Sequence, residues 1–259
     1  MASQKKSPTT SQCEVGGKDG GKDKVSLWER LERPVAAPRA LALSPARIAS
    51  VAVAIADAEG IDAVTMRRLA TELEVAPMAA YRYVSGKDDV LELMVDTVYG
   101  DLKVPADPSD WRETMRVLAI NTRELVLTHP WLSQLSSPKA MFAPTPNRLA
   151  VTEHALVALD AAGLSPALSM AVFETVNAYV YGSSYTEVSM RLLMKGQGWT
   201  HSDDVKMAMA PEFTWLVSTG RYPAYQRSAS AGGHFGDPQA KFESGLDCVL
   251  DGIGVRMGI

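Results

Sequence analysis

The sequence predicts an all-α fold built from a small helical head and a larger helical bundle, and three observations carry that expectation. Apolar residues recur at three- and four-residue spacing, few stretches alternate as strands do, and Ser/Thr caps, Pro openings and Gly stops cut the pattern into helix-sized segments. The 259 residues exceed what one small core holds, and a 46% apolar content with mean hydropathy of −0.04 supports a real interior. The expected division is a flexible amino-terminal extension over 1–40, a three-helix head over 41–88, and a helical bundle over 89–259.

Residues 1–24 mix Ser, Thr, Lys, Gly and Asp with almost no apolar content, too little to offset the entropy of ordering, so this arm is expected to be disordered. Leu27, Trp28 and Leu31 share one helical face behind a Ser26–Glu29 capping box, and Pro34 to Ala42 reads as a linker. Ser44 caps a helix that Pro45 opens, with Ile48, Val51, Ile55 and Ala58 on its inner face before Gly60. Thr65 caps a second short helix with Leu69, Ala70 and Leu73 inward; Glu74-Val75-Ala76 breaks it. Pro77 opens a third helix carrying Ala80 and Val84 inward, and Ser85 to Asp88 caps a fourth with Val90, Leu91, Met94, Val95 and Val98. Beyond Pro108 helices are expected near 109–128, 146–162, 166–194, 203–219 and 237–256. No repeat of fixed period occurs.

Several function classes drop out. The net charge of −4 gives no general affinity for nucleic acid, so any such contact must come from a local patch. Cys13 and Cys248 form neither a disulfide framework nor a zinc pair; His129, His154, His201 and His234 are scattered, and a solvated helix start explains His201 beside Asp203 and Asp204. No cofactor or metal is expected. No apolar run reaches the eighteen or so residues a membrane span needs, and the first 24 residues lack a signal-like stretch, so a cytoplasmic protein is expected. GxSxG, HExxH, Walker and dinucleotide motifs are absent, which argues against an enzyme.

The remaining motif is residues 65–87. A short helix, a tight turn and a second short helix behind a packing helix is the geometry that lays a helix into the DNA major groove. Thr65 can offer its hydroxyl and the helix start to phosphate, and Arg67 can reach a guanine edge or the backbone. Pro77, Met78 and Ala79 would face the groove, where apolar groups suit thymine methyls. Tyr81, Arg82 and Tyr83 suit phosphates, and Lys87 supplies another anchor at the next helix start. The same pattern also occurs in enzymes and plain bundles, so spacing alone leaves both readings open.

The stretch Leu43 to Leu102, with AIADAEGIDAVTMRRLATELEVAPMAAYRYVSGKDDVLELMVD, closely resembles the DNA-binding head of the TetR family of repressors. The resemblance lies in an ordered set: Glu-Gly, a Thr cap, Leu-Ala, a turn Val, Tyr on the third helix and Lys opening the fourth. Where that family usually has Gly before the turn valine, this chain has Glu74. The end of the chain, KFESGLDCVLDGI, resembles the last helix of the tetracycline-repressor type of carboxy-terminal domain. These resemblances imply a dimeric regulator of pseudo-palindromic double-stranded DNA, released by a small effector bound in the helical domain. They imply a dimer interface on Phe242, Leu246, Val249 and Ile253, with Gly245 and Gly252 allowing close helix approach. For a largely apolar effector the sequence offers Leu118, Thr122, His129, Trp131, Phe173, Asn177, Tyr181 and Tyr185, the last four along one helical line. Plain core packing competes for each of them. A ligand-independent architectural DNA binder is the alternative function, with an all-α enzyme behind it.

Overall fold

Capping chemistry starts the helices where the sequence puts it. Ser44 Oγ accepts from Arg47 N at 3.2 Å, Thr65 Oγ1 from Arg68 N at 3.1 Å, Asp110 Oδ1 from Glu113 N at 3.0 Å, and Asp237 from Gln239 N and Ala240 N. Each bond satisfies a donor that the first helical turn leaves without a backbone partner. The computed structural model describes residues 26–32, 43–135, 137–230 and 237–259. The disordered arm expected over 1–24, the 34–42 linker, Cys13 and His234 lie outside the described residues.

Helix α1 (Leu27–Glu32) belongs to a unit of its own, residues 1–34, and Glu29 N donates to Ser26 Oγ at 3.1 Å as the expected cap requires. In the second unit come α2 (Pro45–Glu59), a 3-10 turn (Ile61–Ala63), α3 (Met66–Glu72), α4 (Pro77–Ala80) and α5 (Lys87–Gly100). Then follow α6 (Trp111–Thr128), a 3-10 turn (Pro130–Gln134), α7 (Pro138–Phe142), α8 (Pro146–Ala161), α9 (Pro166–Gln197), α10 (Ser202–Ser218), α11 (Pro223–Ser230) and α12 (Pro238–Met257). No strand occurs among the described residues, in keeping with the all-α expectation. Helices α7 and α11 were not expected, because five and eight residues are too short to establish a period of 3.6. The expected third helix is one turn long and continues as hydrogen-bonded turns, with Tyr83 N on Ala80 O at 3.0 Å and Val84 N on Ala80 O at 3.2 Å.

The head closes over Ile48, Ala52, Ile55, Leu69, Leu73, Ala80 and Val84, all buried, and α5 adds Val90 and Met94 to the same interior. Helix α5 packs on α2 at one end and on α7 and α8 beyond, so it runs from the head into the bundle. There α6, α8, α9 and α12 bury Leu118, Val126, Leu159, Val172, Val176, Val180, Leu246 and Leu250.

Helix α12 corrects the dimer expectation. Phe242, Leu246 and Ile253 are buried inside the single chain and Val249 is half-buried, because that stripe packs on α9 and α6. Arg112–Asp251 and Arg116–Asp247 ion pairs fix α12 to α6 in that orientation. Gly245 does allow a close approach, but to the Tyr179 ring of the same chain.

Candidate nucleic-acid interface and ligand cavity

The head leaves the expected reading surface exposed. Thr65, Arg67, Met78, Tyr81, Arg82 and Lys87 face solvent, Met78 at 72% exposure; Ala79 and Tyr83 are half-buried, and Pro77 opens α4. An exposed methionine on a one-turn helix has no packing role to explain it. Thr65 spends its acceptor on the Arg68 N–H, leaving its hydroxyl proton to point elsewhere. Arg68 is structural: its guanidinium lies 2.8 Å from Glu59 and 3.0 Å from Glu72. Among the described residues no ion pair reaches Arg67 or Arg82. Lys87 Nζ lies 3.5 Å from the Ile61 carbonyl, which holds it against the 3-10 turn.

Glu74 sits at φ 55°, the one non-glycine residue at positive φ among those described. It follows the α3 cap residue Leu73, with Glu74 N on Thr71 O and Val75 N on Ala70 O, both at 3.1 Å, so it fills the left-handed position of a Schellman turn where glycine is usual.

Polar ties join α5 to the bundle turn by turn. Asp88 Oδ1 accepts from Ser137 Oγ at 2.9 Å; Lys139 reaches Asp89 at 3.2 Å and Glu92 at 2.7 Å; Asp96 accepts from Asn147 N at 2.8 Å; and the Tyr99 and Tyr181 hydroxyls bond each other. Burial pushes the Tyr99 phenol well above its usual pKa, and the nearby Tyr181 adds to the rise, while Arg148 over its ring at 5.4 Å opposes it. Asp57 of α2 makes a further tie, its Oδ1 lying 2.8 Å from both His129 Nδ1 and Trp131 Nε1.

Those ties engage three of the residues assigned to a pocket from the sequence, His129, Trp131 and Tyr181. His129 and Trp131 turn their nitrogens to Asp57 and serve the junction; Leu118 and Thr122 are buried in the bundle interior. Tyr181 is bonded to Tyr99 and Tyr185 is exposed, while Phe173 and Asn177 are half-buried. A cavity of about 740 Å³ lies instead along a neighbouring face of α9, bounded by α6, α10 and α12, and none of the eight assigned residues lines it. Its apolar wall is Tyr179, Met190, Met194, Val205, Pro238 and Phe242; its charged lining is Arg123, Glu187, Arg191, Asp237 and Lys241.

Arg123 is the residue that the sequence reading missed. Its side chain is 8% exposed, bonded to Gln239 Oε1 at 2.5 Å and paired with Glu187, and its guanidinium lies 5.0 Å from the Phe242 ring centre. The signal was present: Arg123 lies on the inner stripe of α6 with Met115, Ala119 and Val126, where a cation must have a built partner.

Two family models match the chain: "Bacterial regulatory proteins, tetR family" over residues 48–94 and "Tetracyclin repressor-like, C-terminal domain" over residues 104–257. The HTH-type transcriptional repressor DrrR1 of Streptomyces coeruleorubidus is 31% identical over 231 residues, 88% of this chain and 83% of that protein. An HTH-type transcriptional regulator of Saccharopolyspora erythraea is 32% identical over 218 residues, 84% of this chain and 87% of that one. Among solved structures, apo ActR from Streptomyces coelicolor superposes with a TM-score of 0.65 at 25% identity, covering 82% of this chain and 97% of its own.

Proposed function

The chain belongs to the TetR family of bacterial transcriptional regulators, and from that premise we propose a cytoplasmic, ligand-responsive repressor that acts as a homodimer on a pseudo-palindromic operator. The observation that carries this reading is the exposed surface of Thr65, Arg67, Met78, Tyr81, Arg82 and Lys87 around a one-turn helix, a surface built for something other than the chain's own core. The head over 41–88 reads DNA, and the helical domain over 89–259 dimerises and holds a small, largely apolar effector. ActR, of the same fold, has been crystallised in complex with actinorhodin, which shows that ActR takes a small molecule. No described helix is long and apolar enough to cross a membrane.

Because Phe242, Leu246 and Ile253 are buried within the chain, this reading puts the dimer contact on other faces. Leu192 and Leu193 on α9, Met207, Trp215 and Leu216 on α10, Tyr222 just before α11, Tyr225 on α11 and Val255 on α12 are exposed, and a second copy is the partner such apolar area fits.

Binding of the full chain to DNA from its own upstream region, followed by anisotropy against salt, tests the reading. Lys87→Ala should weaken binding to every sequence and flatten the log-affinity against log-salt slope by about one unit, whereas Arg67→Ala should relax preference at one base position. A chain that sediments as a monomer, or that binds all duplexes alike whether or not ligands are present, would overturn the repressor reading in favour of an architectural or unrelated role.

A further inference from the structure

We propose that the cavity bounded by α6, α9, α10 and α12 is the effector site, and that its effector is an amphipathic anion: an apolar, ring-bearing body carrying one carboxylate or comparable oxyanion. The proposal rests on the reading of the chain as an effector-responsive regulator. It differs from the sequence expectation in both the place and the charge of the ligand.

Three cations and two carboxylates line the cavity, Arg123, Arg191 and Lys241 against Glu187 and Asp237. Both carboxylates are already committed. Glu187 lies 2.5 Å from Arg123 and 2.6 Å from Arg191, and Asp237 caps α12 through the Gln239 and Ala240 N–H groups at 3.2 and 3.3 Å. Buried Arg123 is fully engaged by Glu187, Gln239 and the Phe242 face, so it forms a fixed wall. The positive charge left over therefore sits at the rim. Lys241, on the first turn of α12, is exposed and has no ion pair among the described residues, and Arg191 shares its one carboxylate with Arg123.

Inside the rim the surface is apolar. Tyr179, Met190, Met194, Val205 and Phe242 offer rings and thioethers that accept a flat or irregular body, with Tyr179 stacked on Phe242 at 5.6 Å and its hydroxyl held by the Phe242 carbonyl at 2.7 Å. A volume of about 740 Å³ suits a molecule of drug or cofactor size. An apolar floor with a cationic rim selects a ligand polarised in the opposite sense, its rings inward and its oxyanion outward.

A matched pair of probes separates charge from shape: 8-anilinonaphthalene-1-sulfonate, and N-phenyl-1-naphthylamine, which is the same body without the sulfonate. Titrated into the full-length protein, both should bind saturably, the sulfonate more tightly. Lys241→Gln and Arg191→Gln, both at exposed side chains, should each weaken the sulfonate about threefold and together about tenfold, while the neutral probe stays within about twofold. Ser183→Phe, which fills the cavity from α9, should weaken both probes. Sulfonate affinity unchanged in the double variant, equal loss of both probes there, or no saturable binding of either overturns the proposal. Operator binding by the unliganded variants is read alongside: retained DNA binding with no charge-dependent probe binding rejects this site, while absent DNA binding in the wild type rejects the repressor reading itself.

Discussion

Replacing Lys139 by Met tests whether charge holds the head-to-bundle helix in place. Asp89 and Glu92 lie on one face of α5 with side chains 7% and 6% exposed, and the Lys139 ammonium of α7 lies 3.2 Å from one and 2.7 Å from the other. Asp89 also accepts the Ser85 N–H at 2.8 Å, so its carboxylate cannot turn to water without opening the cap of α5. Removing one partner of a fully buried pair costs about 3–5 kcal/mol. Lys139 itself is 56% exposed, and exposed pairs contribute up to about 1 kcal/mol each, so water reduces the loss. Two carboxylates left facing each other place the expected destabilisation at about 2 kcal/mol. Urea denaturation followed by far-ultraviolet circular dichroism measures it. Lys139→Arg should retain most of the stability, and adding Glu92→Gln to Lys139→Met should recover roughly half of the loss by removing one of the two like charges. The pH dependence has a fixed sign. Bonds to Glu92 and Asp89 raise the Lys139 pKa above 10.5 against a smaller opposing effect of burial, so the stabilisation is complete below that value and is lost as pH rises through the higher folded-state one. A gap under about 0.5 kcal/mol near neutral pH, a quarter of the expected loss, or a gap that persists unchanged well above pH 10.5, refutes the argument.

Three further outcomes follow from single contacts. Tyr99→Phe deletes the hydroxyl bonded to Tyr181 and should cost about 1 kcal/mol. Because the fold holds the Tyr99 proton above pH 10 where the unfolded chain releases it, phenolate absorbance should lose one late-titrating tyrosine in the variant while Tyr179, also raised by burial, remains, with stability falling as pH rises past 10. Gly245→Ala sets a Cβ 2.9 Å from Tyr179 Cζ and 3.0 Å from Cε2, so the ring must move and surrender its bond to Phe242 O; about 1–2 kcal/mol of stability and much of the neutral-probe affinity should go together. Glu74→Gly relieves the left-handed backbone at φ 55° and should stabilise by up to about 1 kcal/mol, measured as a rise in Tm; a fall would mean that the Glu74 side chain holds the turn.

The head was legible because its signals are local. Ser44, Thr65 and Pro77 act on backbone groups within three residues, and the inner faces of α2 and α3 follow from one helical period, so the sequence places them without reference to anything distant. The cavity beside α9 was not legible for the opposite reason. Phe173, Asn177, Tyr181 and Tyr185 do trace a line on α9, but which neighbouring helix meets that line depends on the rotation of α9 in the bundle, and periodicity does not report rotation. Tyr181 meets Tyr99, 82 positions away, whereas the cavity opens beside Tyr179 and Ser183. The α12 stripe is a similar case: an apolar face demands burial without saying against which chain, and here Phe242, Leu246 and Ile253 are buried within their own chain.

Helix α5 gives the effector reading its energetic scale. It carries four sets of polar ties to the bundle, at Asp88, at Asp89 with Glu92, at Asp96 and at Tyr99; the first three involve carboxylates and the last joins two phenols, and such bonds contribute about 1–3 kcal/mol each. Coupling between two sites in a regulator is typically about 1–3 kcal/mol. Breaking or straining one or two of these ties therefore suffices to change DNA affinity about tenfold to a hundredfold, with the remainder of the fold intact. The cavity is connected to this system through α9, which bears Tyr179, Ser183 and Glu187 on the cavity side and Tyr181, the partner of Tyr99, on another. A ligand wedged against Tyr179 acts on the same helical turn that anchors the end of α5. On this geometry Tyr99→Phe should leave probe affinity near the wild-type value while shrinking the effect of any bound ligand on operator binding, and equal coupling in the variant would show that the signal travels another way.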